Sequence, residues 1–287
     1  MIKYIYKYDL ILLFRASWIQ ALLLIFLFIF LFAGYNGKQQ TIARNSEIEK
    51  ARTEVASNDA KMRILLDSIE RGLTITSEPY WTLPNEAAAV GNYYPRVAYK
   101  PPSDLSFVAL GQSDIYTHTV KPILRSDATN LHFTELRSSV NLLFGSFDLA
   151  FVIVYLLPLI IIALSYNVLS YEREHGSLKL LASQPISIFN WTFQKVIFRY
   201  ITISVMIILT LLITFLVNGV SIIENFTGFV WLAALSLLYA LFWFVVAFVV
   251  NLSAGSSAKN AITLLGIWVL FVLLIPSILN LSANTIY

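Results

Sequence analysis

Hydrophobic residues in this chain are gathered into long unbroken blocks instead of being spaced at the period of an amphipathic helix or strand. The blocks are Trp18–Gly34, Leu149–Leu169, Tyr200–Val217, Phe229–Val250 and Ala261–Leu281, and none contains Asp, Glu, Lys, Arg or His. A helix needs about 20 mostly apolar residues to cross a hydrocarbon layer of about 30 Å. Each block therefore predicts a transmembrane helix. Basic residues precede the first block as in a signal peptide, yet its apolar run is too long and no Ala-x-Ala pattern comes after it, which predicts an uncleaved span. Pro158 and Pro276 lie inside the second and fifth blocks and predict kinks there.

Polar sequence fills the space between the blocks unevenly. Residues 1–17 alternate Lys3, Lys7 and Asp9 with Tyr4, Tyr6 and Tyr8 and predict a cytoplasmic interfacial helix. The largest insertion, residues 35–147, opens with a helical pattern in which Ile48, Val55, Met62 and Ile69 recur every seven residues, with Ala51 and Leu65 between them. That stripe implies packing against another helix, in the same domain or from a partner subunit. Gly72 is placed to end the helix, and Pro79, Pro84, Pro95, Pro101 and Pro102 break the chain after it into turns and short elements. The insertion carries 12 acidic and 12 basic residues, so it offers no electrostatic docking surface.

The short flanks give an orientation. Lys3, Lys7 and Arg15 precede the first span, Arg173, Lys179, Lys195 and Arg199 lie between the second and third, and Lys259 comes after the fourth. The 218–228 loop and the tail after Leu281 have no basic residue. Basic flanks stay cytoplasmic, and long loops cross largely regardless of charge. The N-terminus is therefore expected inside and residues 35–147 outside. The expected fold is an all-α polytopic membrane protein of five spans, with a mainly helical, partly irregular extracytoplasmic insertion. The second span fills 148–170, a cytoplasmic loop 171–195, and the remaining spans with a short tail 196–287.

Composition agrees and narrows the chemistry. Hydrophobic residues make up 57% of the 287 and charged residues only 13%, against about 25% in soluble chains. A net charge of +3 is too small and scattered for nucleic acid. The chain has no cysteine, and His118, His132 and His175 lack metal-ligand spacing, so no metal, cofactor-binding or catalytic residue is predicted. Gly255-Ser256-Ser257-Ala258-Lys259 echoes a phosphate-binding loop with the wrong spacing. An ion-coupled secondary transporter would place an ionisable side chain inside a span, and none is there. Asp148, at the edge of the second span, reads as an interface residue. A membrane sensor or scaffold with an extracytoplasmic ligand-binding domain stays open on these grounds.

The most informative polar segment lies just past the second span: Tyr171-Glu172-Arg173-Glu174-His175-Gly176-Ser177-Leu178-Lys179-Leu180-Leu181-Ala182-Ser183-Gln184-Pro185. Gly176 can adopt the left-handed conformation that closes a helix, and Ser177 can cap a new one. Pro185 ends it. Leu178, Leu181 and Ala182 share one face of this short helix, flanked by Glu172, Arg173 and Glu174. Physics alone leaves open whether it settles at the interface or fits a groove in a soluble partner.

The stretch from Glu172 to Pro185 resembles the signature of the type-2 ABC exporter permeases, with Ser177 where threonine is more usual. Gly111-Gln112-Ser113-Asp114-Ile115-Tyr116 and Phe147-Asp148-Leu149-Ala150-Phe151-Val152 are similar to a subgroup with a large first extracytoplasmic domain, related to permeases associated with multi-copper enzyme maturation. The resemblance implies a permease subunit of the bacterial inner membrane. A separate ABC ATPase subunit would hold ATP and Mg, and a second permease copy or paralogue would complete the transporter. It also implies that Glu172, Arg173, Glu174, Gly176, Ser177, Leu178, Leu181 and Pro185 couple to the ATPase. The family pattern has six spans, one more than the five read here.

Overall fold

A computed structural model describes residues 11, 15–75, 78–111, 118–124, 146–178, 183, 187–253 and 255–286. The chain is an all-α, polytopic membrane protein. Among the described residues, five helices are long and apolar enough to cross a membrane: α1 (Ser17–Glu70), α3 (Leu149–Glu174), α4 (Ile188–Val217), α5 (Phe226–Leu252) and α6 (Ser257–Ala283). Minor elements among the described residues include a 3-10 turn (Tyr80–Thr82), the seven-residue α2 (Ala87–Tyr93) and the strands β1 (Ala98–Tyr99) and β2 (Thr119–Val120). The chain divides into two compact units, residues 1–35 with 147–287, and residues 36–146. The N-terminal segment expected to lie at the interface falls almost wholly outside the described residues.

Helices run well beyond the apolar blocks. α1 is continuous for 54 residues and passes through Gly34 and Gly37 without a break. Polarity changes there, but the backbone rule does not, because a helix satisfies its own N–H and C=O groups in either solvent. Its end is a glycine-closed turn: Gly72 sits at φ 76°, its N–H meets the Ile69 carbonyl at 2.9 Å, and the Leu73 N–H meets that of Ser68 at 3.0 Å. α4 likewise starts twelve residues before its apolar block, at Ile188.

In the membrane unit, Asp148 caps α3 by accepting the Phe151 N–H at 2.8 Å. Gly34 lets α1 approach α4 closely; a Cβ there would lie 2.4 Å from the Thr214 methyl. The two intramembrane prolines are each preceded by a wide π-helical turn, Val152–Leu156 before Pro158 and Val269–Leu274 before Pro276. Proline has no N–H for the carbonyl four residues earlier. For Pro158 that carbonyl belongs to Val154, and the Tyr239 hydroxyl of α5 donates to it at 2.8 Å. The expected kinks thus take the form of loosened turns, and at Pro158 the orphaned carbonyl is served from a neighbouring helix.

In the other unit, Ile48 and Ala51 are buried while Val55, Met62, Leu65 and Ile69 are half-exposed. Described partners of this part of α1 come from loops and a short strand: Arg96 pairs with Asp59, Lys121 meets Glu54 at 2.7 Å, and Arg52 lies over the ring of Tyr99 in β1. Gly37 abuts the main chain at Phe107, where a Cβ would stand 2.1 Å from the carbonyl oxygen.

A candidate coupling site at the end of the second span

α3 is interrupted near its C-terminal end. Residues 166–169 leave the helix, which resumes at Ser170–Glu174. In an unbroken helix the Leu169 N–H would donate to Ser165. Here Asn251 of α5 is inserted into that rung: its Oδ1 accepts the Leu169 N–H at 3.2 Å, and its Nδ2 donates to the Ser165 carbonyl at 2.8 Å. The carbonyls on either side are also served from other helices. Arg199 of α4 donates to Leu164, and Asn260 of α6 donates to Tyr166 at 3.2 Å. Three successive carbonyls of α3 are thus held by α4, α5 and α6 in turn. Both asparagines are about 1% exposed, so water does not compete for these bonds. A side chain inserted into the helical ladder is a recognised cause of a sharp bend.

Beyond this joint the Glu172-Arg173-Glu174 triplet reaches three ways. Glu172 pairs with Lys195 of α4 at 3.0 Å, and Lys195 also lies 4.0 Å from the centre of the buried Trp191 ring. Arg173 donates to the Gly255 carbonyl at 3.1 Å. Glu174 accepts the Ser257 N–H at 2.7 Å and its hydroxyl at 2.9 Å. Ser257 is the first residue of α6, where exposed N–H groups and the helix dipole favour a carboxylate. The Ser257 hydroxyl also lies 2.9 Å from that of Ser170, and Ser256 caps the same helix by accepting the Lys259 N–H. One turn of α3 therefore grips the start of α4 and the start of α6 together.

Gly176 has φ 74° and closes the helix, with its N–H on the Arg173 carbonyl at 3.2 Å. His175 stacks on Tyr171 with ring centres 4.0 Å apart. The Ser177 hydroxyl donates back to Glu172, to its carbonyl at 3.1 Å and to its carboxylate. Leu178 is half-buried. Leu181 and Pro185 lie outside the described residues. Of the sequence-selected residues, the structure joins Glu172 and Ser177 with Lys195, and sets Arg173 and Glu174 beside them against Gly255 and Ser257. Sequence reasoning missed Asn251, Asn260 and Gly255. The available signal was a buried-amide pattern, two asparagines flanking the short turn between the fourth and fifth apolar blocks.

No cluster of His, Cys, Asp or Glu able to hold a metal ion occurs among the described residues. Residues 4–286 match the family described as ABC-2 family transporter protein. No curated protein matches the chain.

Proposed function

This chain belongs to the ABC-2 transporter family, and from that premise we propose that it is the membrane-spanning permease subunit of an ATP-binding cassette exporter driven by a separate ATPase. The subunit sits in the bacterial cytoplasmic membrane with its N-terminus inside and residues 35–147 outside. That long first insertion, together with the Gly111–Tyr116 and Phe147–Val152 sequences, supports membership of the subgroup with a large extracytoplasmic domain. The partner ATPase holds ATP and Mg and supplies the free energy of hydrolysis. A second permease copy or paralogue completes the bundle.

The observation that carries this reading is the grip of α3 on α4 and α6 directly beside the Gly176–Pro185 segment. In the proposed mechanism that segment docks on the ATPase through Leu178 and Leu181. Closure of the ATPase displaces it, and Glu172 and Glu174 deliver the displacement to Lys195 and Ser257. The interrupted turn at 166–169 lets the end of α3 swing without bending the packed span above it. Charge-assisted hydrogen bonds suit this task because they are short and directional.

Co-purification separates docking from transmission. Leu178→Asp places a charge on the docking face and releases the ATPase. Glu174→Gln leaves Leu178 in place, so the ATPase stays bound while transport falls. If Leu178→Asp retains the ATPase as firmly as the unaltered chain, the docking assignment is wrong. If no nucleotide-hydrolysing subunit accompanies the unaltered chain in mild detergent, the permease reading fails with it.

A further inference from the structure

Charge balances over residues 35–147 as a whole but not locally. Residues 72–95 hold Glu78, Glu86 and four aromatic residues, with no lysine or arginine among them. Tyr80 and Trp81 stand on the one-turn 3-10 helix Tyr80–Thr82. Their rings meet edge to face, with centres 5.1 Å apart and planes at 82°. The turn is braced. Both the N–H and the hydroxyl of Thr82 donate to the Pro79 carbonyl, at 3.0 and 2.7 Å. Pro84 just after it is buried, and α2 packs against the turn. Rings of this size would gain by lying against the domain. Instead Tyr80 is 77% exposed and Trp81 55%, so the bracing holds both out in water.

Two exposed carboxylates flank the pair. Glu78 lies two residues before Tyr80, and Glu86 stands at the N-cap position of α2 without bonding to that helix. Neither is in an ion pair among the described residues. Partial burial and the charge of Glu78 together raise the pKa of the Tyr94 phenol above its ordinary value, which puts Glu78 beside a further ring. We propose that Tyr80 and Trp81, with Glu78 and Glu86 beside them, form a binding site for a small organic cation of the quaternary ammonium class. An aromatic face is electron-rich and attracts a cation within about 6 Å of the ring centre. Two rings at right angles make a corner that suits a round cation, whereas a flat sugar ring stacks on a single face. Exposed Tyr and Trp also suit a bilayer surface, but two free carboxylates oppose the negative potential of acidic lipids. Charge therefore favours the cation.

The test uses the full chain alone, without ATPase or nucleotide, so its failure leaves the permease reading standing. The protein is made with fluorotryptophan and held in an uncharged polyoxyethylene detergent, which brings no choline, phosphate or sugar head group. Its 6 tryptophans are followed by fluorine NMR, and Trp81 is identified by the signal lost in Trp81→Phe. Choline at roughly millimolar concentration, the range that a few weak contacts allow, shifts the Trp81 signal saturably and leaves the others in place. Sodium chloride at the same strength does not. Tyr80→Leu keeps an apolar side chain without a ring face, and weakens choline binding about two- to fivefold, the value of one exposed cation–π contact. Glu78→Gln with Glu86→Gln weakens it at low salt and less so at high salt. These positions are exposed, so the fold persists, and the unmoved tryptophan signals verify it. A shift of equal size with the uncharged carbon isostere of choline would overturn the proposal, leaving a plain apolar patch. So would a response to maltose but not choline, which would mark a sugar platform, or to phosphatidylglycerol vesicles alone, which would mark a bilayer anchor. No shift with choline, or binding that Tyr80→Leu leaves unchanged, would overturn it as well.

Discussion

Replacing Asn251 by leucine removes a side chain that stands in for one rung of α3. Two outcomes are physically distinct. If residues 166–169 close into a regular helix, the Leu169 N–H takes the Ser165 carbonyl directly and no polar group is orphaned. The loss is then about 0.6–1.7 kcal/mol, the range for hydrogen bonds between helices in a membrane. If the turn stays open, the buried Leu169 N–H loses its partner, at about 1–3 kcal/mol, and the Ser165 carbonyl keeps only a long contact to the Val168 N–H at 3.5 Å. Leucine keeps the branching and heavy-atom count of asparagine and cannot compete for the rung, so closure is predicted. Because the chain has no cysteine, spin labels at Val154→Cys and His175→Cys report on α3 alone, and both positions are exposed. In Asn251→Leu their separation moves toward the value for an uninterrupted helix, about 31 Å between Cα atoms. Partner-stimulated transport is lost while the ATPase stays bound. An unchanged distance distribution, together with a stability loss above about 2 kcal/mol by denaturant titration, would refute the idea that asparagine holds the helix open.

The same logic yields a double-mutant cycle at Pro158. Tyr239→Phe costs about 1 kcal/mol in the unaltered chain and close to nothing in Pro158→Ala, where a restored N–H serves Val154; equal costs in both backgrounds would contradict it. Glu172→Gln weakens its half-buried pair with Lys195 and lowers stability by about 1 kcal/mol, with a smaller loss in high salt, measured by denaturant titration. Gly37→Ala drives a methyl into the Phe107 carbonyl and destabilises the 36–146 unit by at least about 1–3 kcal/mol, whereas Gly72→Ala meets no atom and is limited to the left-handed strain of about 1 kcal/mol; limited proteolysis ranks the two.

The five spans are legible because an uncharged apolar run has few other uses in a chain of this size. Gly72 and Gly176 are legible for a local reason, since a helix that must stop needs a residue tolerant of positive φ. Hydropathy marks where the bilayer lies and not where a helix ends, which is why α1 passes through Gly34 to Glu70 and α4 begins at Ile188. The joint in α3 leaves only a faint mark in the sequence, the two asparagines at the edges of the fourth and fifth apolar blocks. Its interruption arises from Asn251 and Asn260, which lie 82 and 94 residues away from the groups they serve at Leu169 and Tyr166. Neither residue disturbs the apolar pattern around it. The Glu172-Arg173-Glu174 triplet was visible as charge at a boundary, but the choice of Lys195, Gly255 and Ser257 as partners belongs to the packing of the bundle.

Labelling of a single cysteine at Leu178 tests the account most directly. In inside-out vesicles stripped of the ATPase, Leu178→Cys reacts with a membrane-impermeant maleimide, and adding back the ATPase shields it. The same cysteine in intact cells stays unreacted. Reaction from the outside of intact cells, or reaction that the ATPase leaves unslowed, would contradict a segment that takes up work on the inner face of the membrane.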